Sequence, residues 1–126
     1  MEVWDRIRKK WLVLTPEEWV RQNWINHLIS AHLFPEGHIS VEKTFNLNGQ
    51  AKRFDLVAGY PPQVLIECKA PNVPLSQSTF DQLARYNTLL KIPFLIISNG
   101  LVHLYFEMTP DFSNVRQINT LPTFHQ

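Results

Sequence analysis

The run Val64-Leu65-Ile66-Glu67-Cys68-Lys69 constrains this chain more than any other stretch. A short apolar run bounded by turn residues is a buried strand, and side chains two apart in a strand project from the same face. Glu67 and Lys69 therefore share a face of an otherwise apolar element. Charges placed there without a partner are costly to desolvate, so that face is expected to meet something polar. Upstream, Ala51 to Gly59 alternates as a strand, and Tyr60-Pro61-Pro62-Gln63 is turn chemistry. A hairpin centred on Pro61 sets Asp55 directly opposite Glu67, with Cβ atoms ~4.5–5.5 Å apart. Two carboxylates so placed repel unless one is protonated or a cation lies between them. Lys69 offsets part of the charge, and a divalent hard cation suits the pair better. A slip of one residue would send the acids to opposite faces.

The chain has 126 residues, 44% hydrophobic and 18% charged, which fits one globular domain over 1–126 with a single sizeable core. A net charge of +1 implies no strong overall field for nucleic acid. Arg6, Arg8, Lys9 and Lys10 cluster near the start, either as a phosphate-contacting patch or, more commonly, as a solvated face. The lone Cys68 excludes an internal disulfide and fits a reducing compartment. No apolar stretch approaches ~20 residues and no signal peptide opens the chain. The expectation is a cytoplasmic protein without a membrane span.

Element signals follow one order. Trp4 to Leu14 is a short amphipathic or irregular entry segment. Thr15-Pro16-Glu17-Glu18 starts a helix, with Thr15 as N-cap, Pro16 in the first turn and Glu18 closing a capping box. Val20, Trp24, Ile25, Leu28 and Ile29 give its apolar stripe, and Pro35 to Gly37 stops it. A strand through Ile39, Val41, Phe45 and Leu47 turns at Asn48-Gly49 into the two strands already described. Ser76 or Ser78 caps a second helix with Phe80, Leu83, Ala84 and Leu90 inward. After Pro93, Phe94 to Ser98 and Leu101 to Glu107 are strands around Asn99-Gly100, and Val115 to Ile118 is a short edge strand. The helix between the third and fourth strands makes those two parallel. The fold class is α/β, a mixed β-sheet in the order α-β-β-β-α-β-β flanked by helices.

Asp55 followed by Glu67-Cys68-Lys69 resembles the D…ExK signature of the PD-(D/E)xK nuclease superfamily, which has a restriction-endonuclease-like core. Gln82-Leu83-Ala84-Arg85-Tyr86 is similar to the QxxxY motif of the branch that includes bacterial recombination exonucleases. Together with Glu17 to Gln22, Ile66 to Pro71, Gln82 to Asn87 and Ser98-Asn99-Gly100, these stretches most resemble the N-terminal nuclease domain of type I restriction enzyme R subunits, over about Thr15 to Glu107. The resemblance implies metal-dependent cleavage of DNA phosphodiesters. The residues matching Asp55 and Glu67 would hold Mg²⁺ (or Mn²⁺), helped by the backbone carbonyl of Cys68 and by a helical glutamate, here Glu18. Lys69 would position water or stabilise developing charge. Gln82, Tyr86 and Arg21 would meet the substrate. DNA is the implied partner, with a motor or modification subunit supplied by another chain, or a second copy in a homodimer.

Phe54 stands where the superfamily name has proline. No GxxxxGK[ST] phosphate loop is present, so the expectation is a bare nuclease-like domain without its own motor. Each candidate has a plainer reading. Asp55 and Lys69 could be a structural ion pair. Glu18 is explained by its capping box, Gln82 and Tyr86 by a polar helix face, and Glu42, which falls opposite Asp55, by protection of an edge strand. His27, His32, His38, His103 and His125 have no zinc spacing and read as surface or satisfied residues. Trp4, Trp11, Trp19 and Trp24 read as packing rather than base-stacking platforms. Cys68 points away from Glu67 as a buried, inert thiol. Two functions stay open: a Mg²⁺-dependent DNA endonuclease, and a catalytically silent nucleic-acid-binding or partner-docking domain that retains a nuclease fold.

Overall fold

The computed structural model describes residues 1–32, 34–122 and 124; the reading of His125 lies outside them. The chain opens with an antiparallel hairpin of β1 (Glu2–Asp5) and β2 (Lys10–Val13), Trp4 across from Trp11. A hairpin thus stands where the sequence predicts a short amphipathic or irregular entry segment over Trp4 to Leu14. The turn is set by Asp5, whose Oδ1 accepts the N–H groups of Ile7 and Arg8 at 2.8 and 2.6 Å, the local bond that makes Asp a turn residue.

Helix α1 (Pro16–Ser30) starts as its sequence predicts, with the Thr15 hydroxyl accepting the Glu18 N–H at 3.1 Å. Val20, Trp24, Ile25 and Leu28 are buried. After a short 3₁₀ turn (Glu36–His38) come β3 (Ile39–Val41), β4 (Thr44–Leu47), β5 (Gln50–Arg53), β6 (Leu56–Ala58) and β7 (Val64–Cys68). Asn48 and Gly49 both lie at positive φ, 52° and 82°, the geometry whose twist matches a two-residue hairpin. Each long strand expected on either side of this turn is broken in two. Glu42, at φ 50°, bends the first and Phe54-Asp55 the second. The register survives the bend, because the Glu42 N–H donates to the Asp55 carbonyl at 2.8 Å and the Phe54 N–H to that of Lys43 at 3.2 Å. The outer half, β4 and β5, is a separate ribbon, while β3 and β6 join the central sheet.

Helix α2 (Gln77–Leu90), capped by Ser76, carries the chain to β8 (Phe94–Ser98), followed by β9 (His103–Met108) and β10 (Val115–Ile118). The six-stranded sheet has the order β10-β9-β8-β7-β6-β3, with β7 and β8 parallel. It is a mixed sheet flanked by two helices, as expected. Alternation along β7 divides the core. Val64, Ile66 and Cys68 pack with Val20, Trp24, Ile25 and Leu28 of α1. Leu65 packs on the other face with Leu83 of α2, Phe54, Val57 and Ile97. Each fully buried Leu or Ile contributes roughly 1.5–3 kcal/mol, so β7 is anchored from both sides. Its charged end is then held in place by the apolar residues behind it. Among the described residues, no helix is long and apolar enough to cross a membrane.

Candidate active site

The β6–β7 register pairs Leu56 with Ile66, so the next position sets Asp55 across from Glu67, as the sequence predicts. Asp55 lies just before β6 begins, and its Oδ2 accepts the Cys68 N–H at 2.7 Å. That bond fixes the carboxylate on the end of β7. The Lys69 Nζ lies 3.6 Å from Glu67 Oε1. Burial and the neighbouring Asp55 charge push the Glu67 carboxyl up to about 7, with Lys69 pulling the other way and Glu17 adding to the rise. Cys68 is fully buried on the opposite face, and its thiol is pushed well above the ordinary range by burial and then by Asp55. It has no thiolate chemistry to offer.

The remaining charges come from α1 and the N-terminal hairpin. Arg21 Nη2 sits 3.2 Å from Asp55 Oδ1 and 3.0 Å from Glu17 Oε2, and Nη1 sits 2.8 Å from Glu18 Oε1. Burial works against the Arg21 charge, but Asp55 and Glu18 outweigh it and its pKa rises. The other Glu18 oxygen takes Arg8 Nη2 at 2.8 Å and Gln22 Nε2 at 3.0 Å. Arg8 also reaches Glu42 Oε1 at 2.7 Å and the fully buried Asp5. Thus Asp55 pairs with Arg21 and Lys69 with Glu67, not Asp55 with Lys69.

Several readings change here. Glu18 fulfils only half of a capping box: its N–H is capped by Thr15, but its carboxylate turns to two guanidinium groups, whose charge-assisted bonds are stronger than one to a backbone N–H. Arg8 is not on a solvated face; it is mostly enclosed by acids. Glu42 is a partner of Arg8 and, at 3.1 Å, of Arg53, rather than a lone edge charge. Of the tryptophans only Trp24 is core; Trp4, Trp11 and Trp19 are 46%, 63% and 44% exposed. Gln82 is exposed on α2, and its Nε2 donates to Tyr86 Oη at 2.8 Å. Tyr86 is buried, with its ring edge-to-face against Phe45 at 5.2 Å. Both belong to the helix that covers the Glu67 face of the sheet.

Sequence reasoning gave no site role of their own to Glu17, Gln22 and Asp5, and read Arg8 only as one of a basic cluster. Glu17 had a readable signal, since Arg21 follows at i+4. Arg8 had none, because its partners lie on three other elements.

With the ordered acids, lysine and glutamine on the expected elements, the comparison with known families is decisive. The family described as type I restriction enzyme R protein N terminus (HSDR_N) matches residues 16–122. The chain belongs to this family. A solved fragment assigned as an HsdR subunit of a type I restriction enzyme from Vibrio vulnificus YJ016 shares the fold, with a TM-score of 0.61 at 20% identity over 87% of this chain. The chain spans 24% of that fragment. No curated protein matches the sequence closely enough to count as a relative. The family match begins at Pro16, so the hairpin that contributes Arg8 and Asp5 lies outside it.

Among the described residues, no three His, Cys, Asp or Glu side chains are grouped to cage a metal ion. Two opposed carboxylates remain, Asp55 and Glu67, with Glu17 nearby. That set fits Mg²⁺, which keeps several waters and takes only one or two carboxylates besides substrate phosphate.

Proposed function

We propose that this domain is a metal-dependent phosphodiesterase acting on DNA, the nuclease-like domain of a type I restriction R subunit with a PD-(D/E)xK site. The observation that carries the reading is the opposition of Asp55 and Glu67 at the end of β7, with Lys69 beside Glu67 and the Glu67 proton retained up to about 7. A functional group in a perturbed, half-buried carboxylate pair is more often a ligand or an acid–base group than packing. Bound Mg²⁺ or Mn²⁺ would supply a Lewis acid and an activated water. Asp55 and Glu67 are the carboxylates to hold it, and the Cys68 N–H orients Asp55. Lys69 holds a positive charge beside the pair, where charge on a scissile phosphate would grow. Gln82 offers an amide on the α2 side. A partner chain carrying a motor or a modification activity belongs to this reading.

A second reading, a silent DNA-binding or docking domain, is favoured by one observation: both Asp55 oxygens already accept bonds, from Arg21 and from Cys68. The two are separated with supercoiled plasmid and Mn²⁺ or Mg²⁺. The nuclease reading expects nicking by the wild type, none by Asp55→Ala or Lys69→Ala, and a metal-induced rise in Tm that Asp55→Ala loses. Nicking that persists in Lys69→Ala would refute the mechanism; no metal-dependent Tm shift at all would favour the silent domain.

A further inference from the structure

A cavity of about 390 Å³ lies between α1 and the β8–β9 turn, away from the acids themselves. Trp19, Asn23 and His27 follow one another at four-residue spacing along α1 and form one exposed wall. His103 and Tyr105 of β9 form the other. Trp24 is a buried floor, with its ring edge-to-face to His27 at 5.5 Å and to His103 at 5.3 Å. Gly100 closes one end at φ +86°, and a Cβ there would stand 3.0 Å from both Trp19 and Val20. A side chain at this position would fill the space that the glycine leaves open.

The cavity lies on the Cys68 face of the sheet, opposite Glu67, and its wall is tied to the candidate active site by hydrogen bonds. Ser98 ends β8 beside Cys68; its carbonyl accepts the Lys69 N–H at 2.8 Å and its hydroxyl bonds His103 Nδ1 at 2.7 Å. Trp19 directly follows Glu17 and Glu18. One residue thus links the lysine to the cavity wall, and one helical turn carries both the acids and the exposed indole.

We propose that this cavity takes one unpaired nucleobase of a single-stranded or locally opened DNA whose backbone passes round the end of the sheet toward Asp55, which Arg21 of α1 already reaches, a proposal that rests on the reading above. Ring walls and a polar rim of Asn23, His27 and His103 suit a planar heterocycle, which offers π-faces to stack and edges to hydrogen-bond. The volume is at the small end for ligand sites, with room for a nucleobase. A base inside a duplex reaches such a pocket only by leaving its stack.

The test uses the full 126-residue chain in EDTA, so that neither metal nor cleavage enters. A single-stranded DNA oligonucleotide carrying one 2-aminopurine is titrated by fluorescence, beside its abasic counterpart and its duplex. The expected result is saturable quenching, with the abasic strand and the duplex binding at least about fivefold more weakly, since stacking one base is worth that much or more. Trp19→Ala, at an exposed position, should weaken binding by a similar factor, and Asn23→Trp, which fills the cavity, should do the same. Equal affinity for the abasic and intact strands, or unchanged affinity in both folded variants, overturns the proposal. Base-dependent binding without cleavage under any metal would sink the nuclease reading and leave the pocket standing; metal-dependent cleavage with base-independent binding would do the reverse.

Discussion

Replacing Glu67 by glutamine keeps the shape of the side chain and removes the charge that burial and Asp55 oppose. The carboxyl is raised from 4.5 to about 7 in the fold. A group raised in this way contributes its stability fully below its unfolded pKa and loses it as pH rises through the folded one. Metal-free wild-type protein should therefore lose stability between pH ~4.5 and ~7, by up to about 3 kcal/mol. Lys69, 3.6 Å away and partly exposed, already lowers the Glu67 pKa, so its attraction is contained in this figure. Glu67→Gln has no such proton to lose. It should match the wild type near pH 5 and exceed it at pH 8 by about 2–3 kcal/mol, which for a domain of this size is of order 10 °C in Tm. Thermal unfolding in EDTA across pH 5 to 8.5 reads this directly. Adding Mn²⁺ at pH 8 should raise the wild type and leave the variant nearly unmoved, so that the order of stabilities narrows or reverses. A variant that is less stable than wild type at pH 8 in EDTA would refute the picture of two carboxylates in conflict.

Metal affinity should follow the same proton. Below pH 7 binding must displace it from Glu67, so Mn²⁺ affinity by calorimetry should rise about tenfold per pH unit up to about 7 and level off above; a flat profile from pH 5.5 to 8 would contradict this. Arg8→Met removes the shared partner of Asp5, Glu18 and Glu42 and leaves Asp5 buried with only Gln22 and two backbone N–H groups. The expected cost is about 3 kcal/mol, the low end for breaking a buried ion pair, read as a lowered urea midpoint with an unchanged m-value. An unchanged midpoint would mean that the hairpin does not support α1.

The parts of the fold that were legible in the sequence are those governed by local chemistry and by periodicity. Thr15-Pro16, Asn48-Gly49 and Ser76 each mark a boundary through their own hydrogen bonds or φ angles, and they sit where expected. The opposition of Asp55 and Glu67 followed from a turn centre and a period of two. It survived even though the strand carrying Asp55 breaks at that residue, because the backbone bonds between Glu42 and Asp55 and between Phe54 and Lys43 keep the register across the bend. The bend itself was not legible: it depends on Glu42 adopting positive φ, where Arg8 and Arg53 meet its carboxylate. The hairpin of β1 and β2 was missed for a similar reason. Its strands are four residues each, too short for alternation to show, and its turn depends on Asp5 bonding to its own backbone. Trp4, Trp11 and Trp19 read as core by residue type, but their exposure depends on which side of a hairpin or helix has nothing packed over it.

The charges around the end of β7 form a cluster in which acids outnumber bases. Asp5, Glu17, Glu18, Glu42, Asp55 and Glu67 are connected through Arg8, Arg21, Arg53 and Lys69. With every carboxylate ionised, six negative charges face four positive ones, a surplus of two. An uncompensated charge is costly where it is buried, whereas Glu17 and Arg53 are exposed to solvent. Five of the acids share three guanidinium groups, and Glu67 and Lys69 form a pair of their own. Arg8 and Arg21 bridge the acids of the hairpin, of α1 and of the bend, and Arg21 reaches Asp55 with a nitrogen it shares with Glu17. Glu67 has only the more distant, partly exposed Lys69, and it responds by holding its proton to about 7. In the proposed nuclease reading, a dication between Asp55 and Glu67 would offset a surplus of this size, and Glu67 is the acid whose retained proton it would replace.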